Sequence, residues 1–326
     1  MVILKIEELT LCATVRTMNA ENNNSLAQGY TSDAFSQILR LLKLDVSIYH
    51  NYKVCGNWRL TEHALGSTCF HIVMTGSIIL DVPGYFKGVL NSGDLVIFPR
   101  ELPHSMVSAI PLEGEQRHLD YRAAQDIDGT GLLCGSARFQ HQGSRYLLDA
   151  LPPVFIVRYE PSNYWLKNLL DIFLAENLHG GPASKVIFDR LAELLFTYAL
   201  RQYLTEHPAE AGMLAIYGHP RLARAIEVVH RQPDFDWTLD AMAKEAALSR
   251  TSFAETFKAV SGWTAGQYLT WWRMQLAWSL LSAGAGIAEV SGKVGYKSEA
   301  AFSRAFQAMF RTAAGKVRRG DPAAEG

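Results

Sequence analysis

Two ten-residue stretches in the last third of the chain share one pattern: SRTSFAETFK at 249–258 and SEAAFSRAFQ at 298–307. Each begins with a serine, a residue type that caps the N-terminus of helices, and each carries two phenylalanines four positions apart. Residues four apart lie on one face of a helix, so Phe253 and Phe257 predict a buried face, and the second copy predicts the same. The pattern therefore predicts two equivalent helices, each packed through aromatic side chains.

A short amphipathic helix is predicted upstream of each copy, from TLDAMAKEAAL at 238–248 and IAEVSGKVGYK at 287–297. A short helix, a tight turn and a second helix form the helix-turn-helix unit, whose second helix enters the major groove of DNA. The intervening stretch, TAGQYLTWWRMQLAWSLLSAGA at 264–285, predicts a helical connector. If it holds the two second helices roughly 34 Å apart, about one duplex turn, a single chain reads two adjacent half-sites.

The side chains opposite the phenylalanines are the candidates for DNA contact. Glu255 in the first copy occupies the position that Arg304 has in the second. An arginine can donate two hydrogen bonds to a guanine edge, whereas a carboxylate repels phosphate and accepts a hydrogen bond from cytosine N4. Contact with a phosphate, or with solvent alone, remains an open alternative for Arg304. The predicted DNA-contacting residues are Arg250, Thr251, Glu255, Lys258, Lys297, Ala300, Ser303, Arg304 and Gln307.

The charge of the chain is unevenly distributed. Its formal net charge is −1, but residues 219–319 hold fourteen Lys and Arg against eight Asp and Glu, a balance of +6. Residues 1–218 hold seventeen against twenty-two, a balance of −5. A basic C-terminal third on a weakly acidic body predicts a polyanionic partner for that third.

The region from Pro220 to Arg318 resembles the DNA-binding domain of AraC/XylS-type transcription regulators. The resemblance implies a regulator that binds double-stranded promoter DNA, with RNA polymerase as a further partner if it activates. The chain departs from the family at Glu255, where arginine is usual, at Arg311, where glycine is usual, and at Ala265 and Ala314, where proline is usual. The positions that carry the resemblance are Ala243, Ser249, Phe253, Phe257, Gly262, Tyr268, Arg273, Ala277, Gly295, Tyr296, Phe302, Ser303, Arg304 and Phe306.

Residues 45–110 consist of short β-branched and aromatic runs separated by Gly, Pro, Asn and Asp, which is typical of an antiparallel barrel or sandwich. In TCFHIVMTGSIIL at 68–80, strict alternation places Cys69 and His71 on one face of a strand. This stretch and SGDLVIFPRELPHSM at 92–106 resemble the paired signatures of the cupin barrel. With the segments on either side, they resemble the sensor half of a subgroup of AraC-type regulators.

The predicted fold class is a two-domain α+β chain, with an N-terminal cupin-like antiparallel β-barrel flanked by helices and a C-terminal all-α domain of two helix-turn-helix units. From about Tyr164, apolar residues recur at the three-and-four spacing of helices. Ile187, Leu191, Leu194 and Tyr198 form a stripe that either covers the barrel or forms a dimer seam. The predicted segments are a tail at 1–30, a cupin-like sensor barrel at 31–160, a helical dimerisation segment at 161–206, a linker at 207–219 and an AraC-type DNA-binding domain at 220–319.

Four residues of the predicted barrel are candidate effector or metal ligands: His63, Cys69, His71 and His104. Imidazole and thiolate groups suit Zn, Cu or Fe, but a catalytic metal needs three converging protein ligands. The residues leave three interpretations open, namely a bound metal, a metal-free pocket for a small-molecule effector, and histidines with a structural role. We expect an effector-controlled transcription regulator; the alternative is a metal-dependent cupin enzyme with an accessory helical domain.

The four cysteines have no CxxC spacing and are expected to be buried thiols in a reducing compartment. No apolar run approaches the 18 or so residues that a membrane span requires. The N-terminus also lacks the basic, apolar and small-residue order of a secretory signal. We therefore expect a cytoplasmic homodimer with no membrane partner.

Overall fold

The computed structural model describes residues 33–42, 44–62, 68–100, 102–139, 148, 151–207 and 212–320. The predicted tail at 1–30 and His63 lie outside these residues. The first described element is helix α1, Ala34–Leu42, which follows Asp33. The Asp33 carboxylate accepts a hydrogen bond from the backbone N–H of Ser36 at 2.8 Å, which is the N-cap geometry.

The strands of the described chain form two antiparallel sheets. They are β1 Leu44–Cys55, β2 Arg59–Glu62, β3 Thr68–Thr75, β4 Ser77–Val82, β5 Phe86–Asn91, β6 Leu95–Phe98, β7 His104–Ser108, β8 Arg117–Leu119, β9 Thr130–Phe139 and β10 Phe155–Val157. The six-stranded sheet has the order β10-β6-β3-β9-β1-β8, and the four-stranded sheet has the order β2-β7-β4-β5. Apolar residues of both sheets meet in one cluster between them, which confirms the predicted cupin-like barrel.

Strand β3 shows how the barrel is built from its sequence. Cys69 and Val73 belong to the apolar cluster between the sheets, whereas Phe70 and Ile72 belong to the cluster on the outer face of the six-stranded sheet. The predicted alternation is therefore confirmed. All residues from 68 to 74 are buried, because both faces of this strand are covered. Burial of each large apolar side chain contributes about 1.5–3 kcal/mol to folding.

Helices α2, Tyr164–His179, and α3, Ser184–Glu206, lie over the outer face of the six-stranded sheet. The covering residues of α3 include Phe188, Leu195 and Phe196, which are at most 7% exposed. In the predicted stripe, Ile187 is 39% and Leu194 44% exposed. Leu191 and Tyr198 of the same stripe are partly buried against this core, so the stripe covers the barrel only in part, and the adjacent face of α3 covers it more fully.

The described part of the predicted linker is packed rather than extended. A 3-10 turn, Gly212–Leu214, leads directly into α4, Ala215–Gly218. The side chains of Met213, Leu214 and Ile216 are at most 3% exposed and belong to the same apolar cluster as the outer barrel face. This segment therefore connects the barrel to the first helix-turn-helix unit through a shared core.

The remaining helices form the predicted all-α domain. They are α5 Pro220–Arg231, α6 Leu239–Glu245, α7 Arg250–Ser261, α8 Ala265–Ser282, α9 Ile287–Lys293, α10 Glu299–Phe310 and α11 Ala314–Arg319. The core that begins at the barrel continues through α6 and α7 to Trp272 on α8, and a separate core around Phe302 begins at Met274. Among the described helices, none is both long and apolar enough to cross a membrane.

Candidate nucleic-acid interface and sensor site

Both predicted helix-turn-helix units are present. In the first, α6 and α7 are capped by Thr238 and Ser249, whose hydroxyls accept hydrogen bonds from backbone N–H groups at 3.1 and 3.2 Å. In the second, α10 is capped in the same way by Ser298, which accepts from the N–H of Ala301 at 3.2 Å. The serines that open the two repeated stretches therefore start the second helix of each unit.

The aromatic side chains of the repeat lie on the inner faces of α7 and α10. Phe253 and Phe257 in the first unit, and Phe302 and Phe306 in the second, are 0% exposed. Pairs along each helix have ring centroids 5.6 and 5.7 Å apart. The buried faces predicted from the four-residue spacing are therefore confirmed, and the opposite faces of the two helices are exposed.

The two second helices end in the same backbone conformation but on different residues. Gly262 follows α7 with a φ of 74°, and Arg311 follows α10 with a φ of 52°. Both values lie in the left-handed region, which glycine adopts without steric cost and other residues adopt at about 1–2 kcal/mol. Glycine, which is usual at position 311 in the regulators that this region resembles, would avoid this cost.

All nine residues predicted to contact DNA are exposed. They are Arg250, Thr251, Glu255, Lys258, Lys297, Ala300, Ser303, Arg304 and Gln307. Four of them lie on α7, and five lie on α10 or in the turn before it, all with their side chains at the protein surface. Their contact with DNA remains a prediction.

Two of the basic residues at this surface have acidic neighbours. Arg250 lies 3.4 Å from Asp240, and Lys297 lies 3.4 Å from Asp236. All four side chains are well exposed, and exposed pairs of this kind contribute about 0–1 kcal/mol, so a phosphate can replace the carboxylate. Arg304 has no hydrogen bond or ion pair to any residue that the structure describes.

Helix α8 connects the two units. Its 18 residues correspond to about 27 Å at 1.5 Å per residue. Its N-terminus is a reciprocal capping box, in which Thr264 accepts from the N–H of Gln267 and the Gln267 side chain accepts from the N–H of Thr264. Trp271 and Trp272 are at most 3% exposed, so the connector is anchored in the core.

Two of the predicted sensor residues meet inside the barrel. The Nε2 atoms of His71 and His104 are 2.8 Å apart, and the side chains are 0% and 3% exposed. Nδ1 of His104 lies 2.8 Å from the carbonyl oxygen of Leu102, to which it donates. With both rings neutral, His104 Nε2 accepts and His71 donates from its own Nε2. Burial, reinforced by His104, holds the pKa of His71 well below its ordinary value.

Within the part of the chain that the structure describes, the donors around this pair do not complete a site with three protein ligands. Each Nε2 is directed at the other imidazole, and Cys69 belongs to the surrounding apolar cluster of the barrel interior. Among the described residues, no group of three or more His, Cys, Asp or Glu side chains could hold a metal ion. The fourth candidate, His63, lies outside the described residues; within them, His71 and His104 form a hydrogen bond with each other.

A polar cleft of about 460 Å³ lies where the barrel meets the helices. Its lining comes from β10, the start of α2 and the last turns of α3, and it includes Arg158, Trp165 and Gln202. The Gln202 side-chain oxygen accepts hydrogen bonds from Asn163 and from the Trp165 indole, both at 3.1 Å. Sequence reasoning did not find this cleft, because its residues come from three elements and follow no motif.

Comparison with known proteins supports the assignment of both the N-terminal barrel and the C-terminal helical domain. Residues 33–205 match the family model described as Cupin, and residues 242–320 match the one described as Helix-turn-helix domain. An AraC-like transcription regulator of Streptomyces lividans is 31% identical over 302 residues, which cover 88% of this chain and 98% of that protein. The chain belongs to the AraC-like family of HTH-type transcriptional regulators.

Two further relatives are also similar to this AraC-like regulator over nearly their whole length. The HTH-type transcriptional regulator AlkR of Acinetobacter baylyi is 30% identical over 295 residues, 85% of this chain and 96% of the relative. The RCS-specific HTH-type transcriptional activator RclR of Escherichia coli is 28% identical over 292 residues, 88% and 97% of the two chains. The AraC-like regulator is thus a DNA-binding transcription regulator with a cupin-like N-terminal domain, and the alternative of a cupin enzyme is not supported.

Proposed function

We propose that this regulator reads promoter DNA chiefly with α10 and uses α7 as a weaker second contact. The observation that carries the proposal is the pair of capped, aromatic-packed helices whose predicted contact residues are all exposed. Arg304 on α10 is exposed and can donate two hydrogen bonds to guanine. Glu255 on α7 repels phosphate, which reduces the contribution of the first unit.

The second part of the proposal is control by a small-molecule effector without a resident metal. The His71–His104 pair lies among packed apolar side chains, whereas the cleft at β10 is open and reaches the last turns of α3. The segment at 212–218 follows α3 closely and shares a core with the first helix-turn-helix unit. An effector that binds two arrangements of α3 with different affinity would therefore change how the DNA-binding half is held.

The third part concerns partners. Ile187 and Leu194 are exposed apolar residues at seven-residue spacing on α3, which supports a seam between two copies of the chain. We propose a cytoplasmic homodimer that acts without catalytic activity. One relative is described as an activator, and on that basis we propose activation, with RNA polymerase as a further partner. Sedimentation velocity of the full chain tests the dimer.

Genome-wide capture of bound DNA, together with in vitro selection from random duplexes, tests the proposed function. The expected result is one bipartite motif with half-sites about 10 base pairs apart, enriched at a small number of promoters. Genes next to these promoters would indicate the chemical class of the effector. Binding that is weak and indifferent to sequence would contradict the proposal.

A further inference from the structure

The two helix-turn-helix units have separate apolar cores. The first unit shares its core with the barrel and the segment at 212–218, while the second packs its own cluster around Phe302, Phe306 and Trp278. Helix α8 passes from one core to the other between Trp272 and Met274. Met309 of α10 also packs partly against both cores, but a flexible thioether side chain adapts to small shifts. A fixed separation of the reading helices therefore needs a further, directional contact.

Arg273, midway along α8, makes this contact. Its guanidinium donates from Nε to the carbonyl oxygen of Pro233 and from Nη2 to that of Phe235, both at 2.8 Å. These carbonyls belong to the loop that leads into the first helix-turn-helix unit. The loop is itself compact, because the Trp237 indole donates to the Gln232 carbonyl at 2.8 Å.

The same guanidinium lies against the turn of the second unit. A Cβ atom placed on Gly295 would lie 2.6 Å from Nη2 of Arg273 and 2.9 Å from the Pro233 carbonyl oxygen. Only a glycine allows this approach, and Gly295 also has a φ of 77°. Two residues further on, Lys297 reaches Asp236 of the loop at 3.4 Å. The loop, α8 and the second turn therefore meet at one planar side chain.

We propose that Arg273 is a positioning residue that sets the separation and angle of α7 and α10, and thereby the half-site spacing that the regulator accepts. This inference rests on the proposed reading of DNA by both helices. Two hydrogen bonds from a rigid fork to one body, with the guanidinium close against Gly295 of the other, hold both in one geometry. A pre-set geometry raises the affinity for one spacing and lowers it for others.

The first test measures the geometry without DNA. Spin labels are placed on exposed positions of the two helices, Ala259→Cys and Ala308→Cys, in a Cys12→Ser background. The cysteines at 55, 69 and 134 are buried. The labels report a distance distribution by pulsed electron paramagnetic resonance.

We expect Arg273→Met to broaden that distribution about twofold, and Arg273→Lys, which keeps the charge but loses the planar fork, to broaden it less. Arg224→Met, which removes an exposed charge on α5, is the matched control. A distribution as narrow in Arg273→Met as in the unaltered chain overturns the proposal.

The second test measures the consequence on DNA selected by the unaltered full-length protein. The duplexes carry the selected site, the same site with two base pairs added to or removed from its spacing, and one half-site alone. In Arg273→Met, we expect affinity for the selected spacing to fall about tenfold, while affinity for the single half-site changes less than about twofold. Equal loss on the half-site and on the full site would overturn the proposal, because Arg273 would then act on folding or on phosphate. If the unaltered protein selects no sequence, the proposed function fails, and the label distances still decide the role of Arg273.

Discussion

Removal of one imidazole from the barrel should destabilise the protein more than the loss of a surface contact would. His104→Leu leaves the Nε2–H of His71 without its acceptor in a side chain that is 0% exposed. An unmade buried hydrogen bond costs about 1–3 kcal/mol. The change also removes the stacking of His104 on Phe98, whose ring centroids are 4.2 Å apart, worth about 0.5–1 kcal/mol. We therefore expect the free energy of unfolding to fall by about 1.5–4 kcal/mol.

A double-mutant cycle isolates the contact itself. His71→Leu removes the donor, and the double variant His71→Leu/His104→Leu removes both partners, so no half of this hydrogen bond remains unpaired. The double variant should lose less than the sum of the single variants, by about 1–2 kcal/mol. Urea unfolding at pH 7.5, with and without EDTA, measures all four proteins. Additivity within about 0.3 kcal/mol, or a coupling that disappears with EDTA, would refute the structural assignment.

Two further variants test other parts of the account. Burial lowers the pKa of His230 to about 3 from an ordinary value of 6.5, so the unfolded chain takes up a proton that the folded chain does not. This residue should therefore lower the free energy of unfolding by about 2 kcal/mol as the pH falls from 7.5 to 5. In urea unfolding, His230→Gln should weaken the dependence of that free energy on pH. An unchanged dependence on pH would contradict the burial of a neutral His230. Arg311→Gly should raise the free energy of unfolding by about 0.5–1 kcal/mol because the residue has a φ of 52°, whereas Arg311→Ala, which loses the same charge, should not. A stabilised Arg311→Ala would mean that charge, not backbone conformation, is responsible.

Much of the fold could be predicted because its signals are local. The four-residue spacing of Phe253 and Phe257 and the alternation of β3 each depend on the geometry of a single element, and both were confirmed. The serine caps of α7 and α10 are local in the same sense. The tandem arrangement of the two units could be predicted because the same ten-residue pattern occurs twice, at 249–258 and at 298–307.

The parts that sequence reasoning missed depend on contacts between distant segments. The sequence placed His71 and His104, which are 33 residues apart, in one candidate site, but no pattern indicates that their Nε2 atoms face each other. The choice between two faces of α3 was decided by the barrel, which buries Leu195 and leaves Leu194 44% exposed. Arg273 was identified through resemblance alone, and its bonds to the loop 40 residues earlier appear only in the folded chain.

The most direct test of the central claim is a comparison of Arg304→Ala with the unaltered protein on two duplexes, the selected site and a random sequence, at one stated salt concentration. If α10 reads bases, affinity for the selected site falls by the equivalent of about 1–3 kcal/mol, while affinity for the random duplex changes less than about threefold. An equal loss on both duplexes would assign Arg304 to a phosphate. No loss on either would contradict the reading of DNA by this helix.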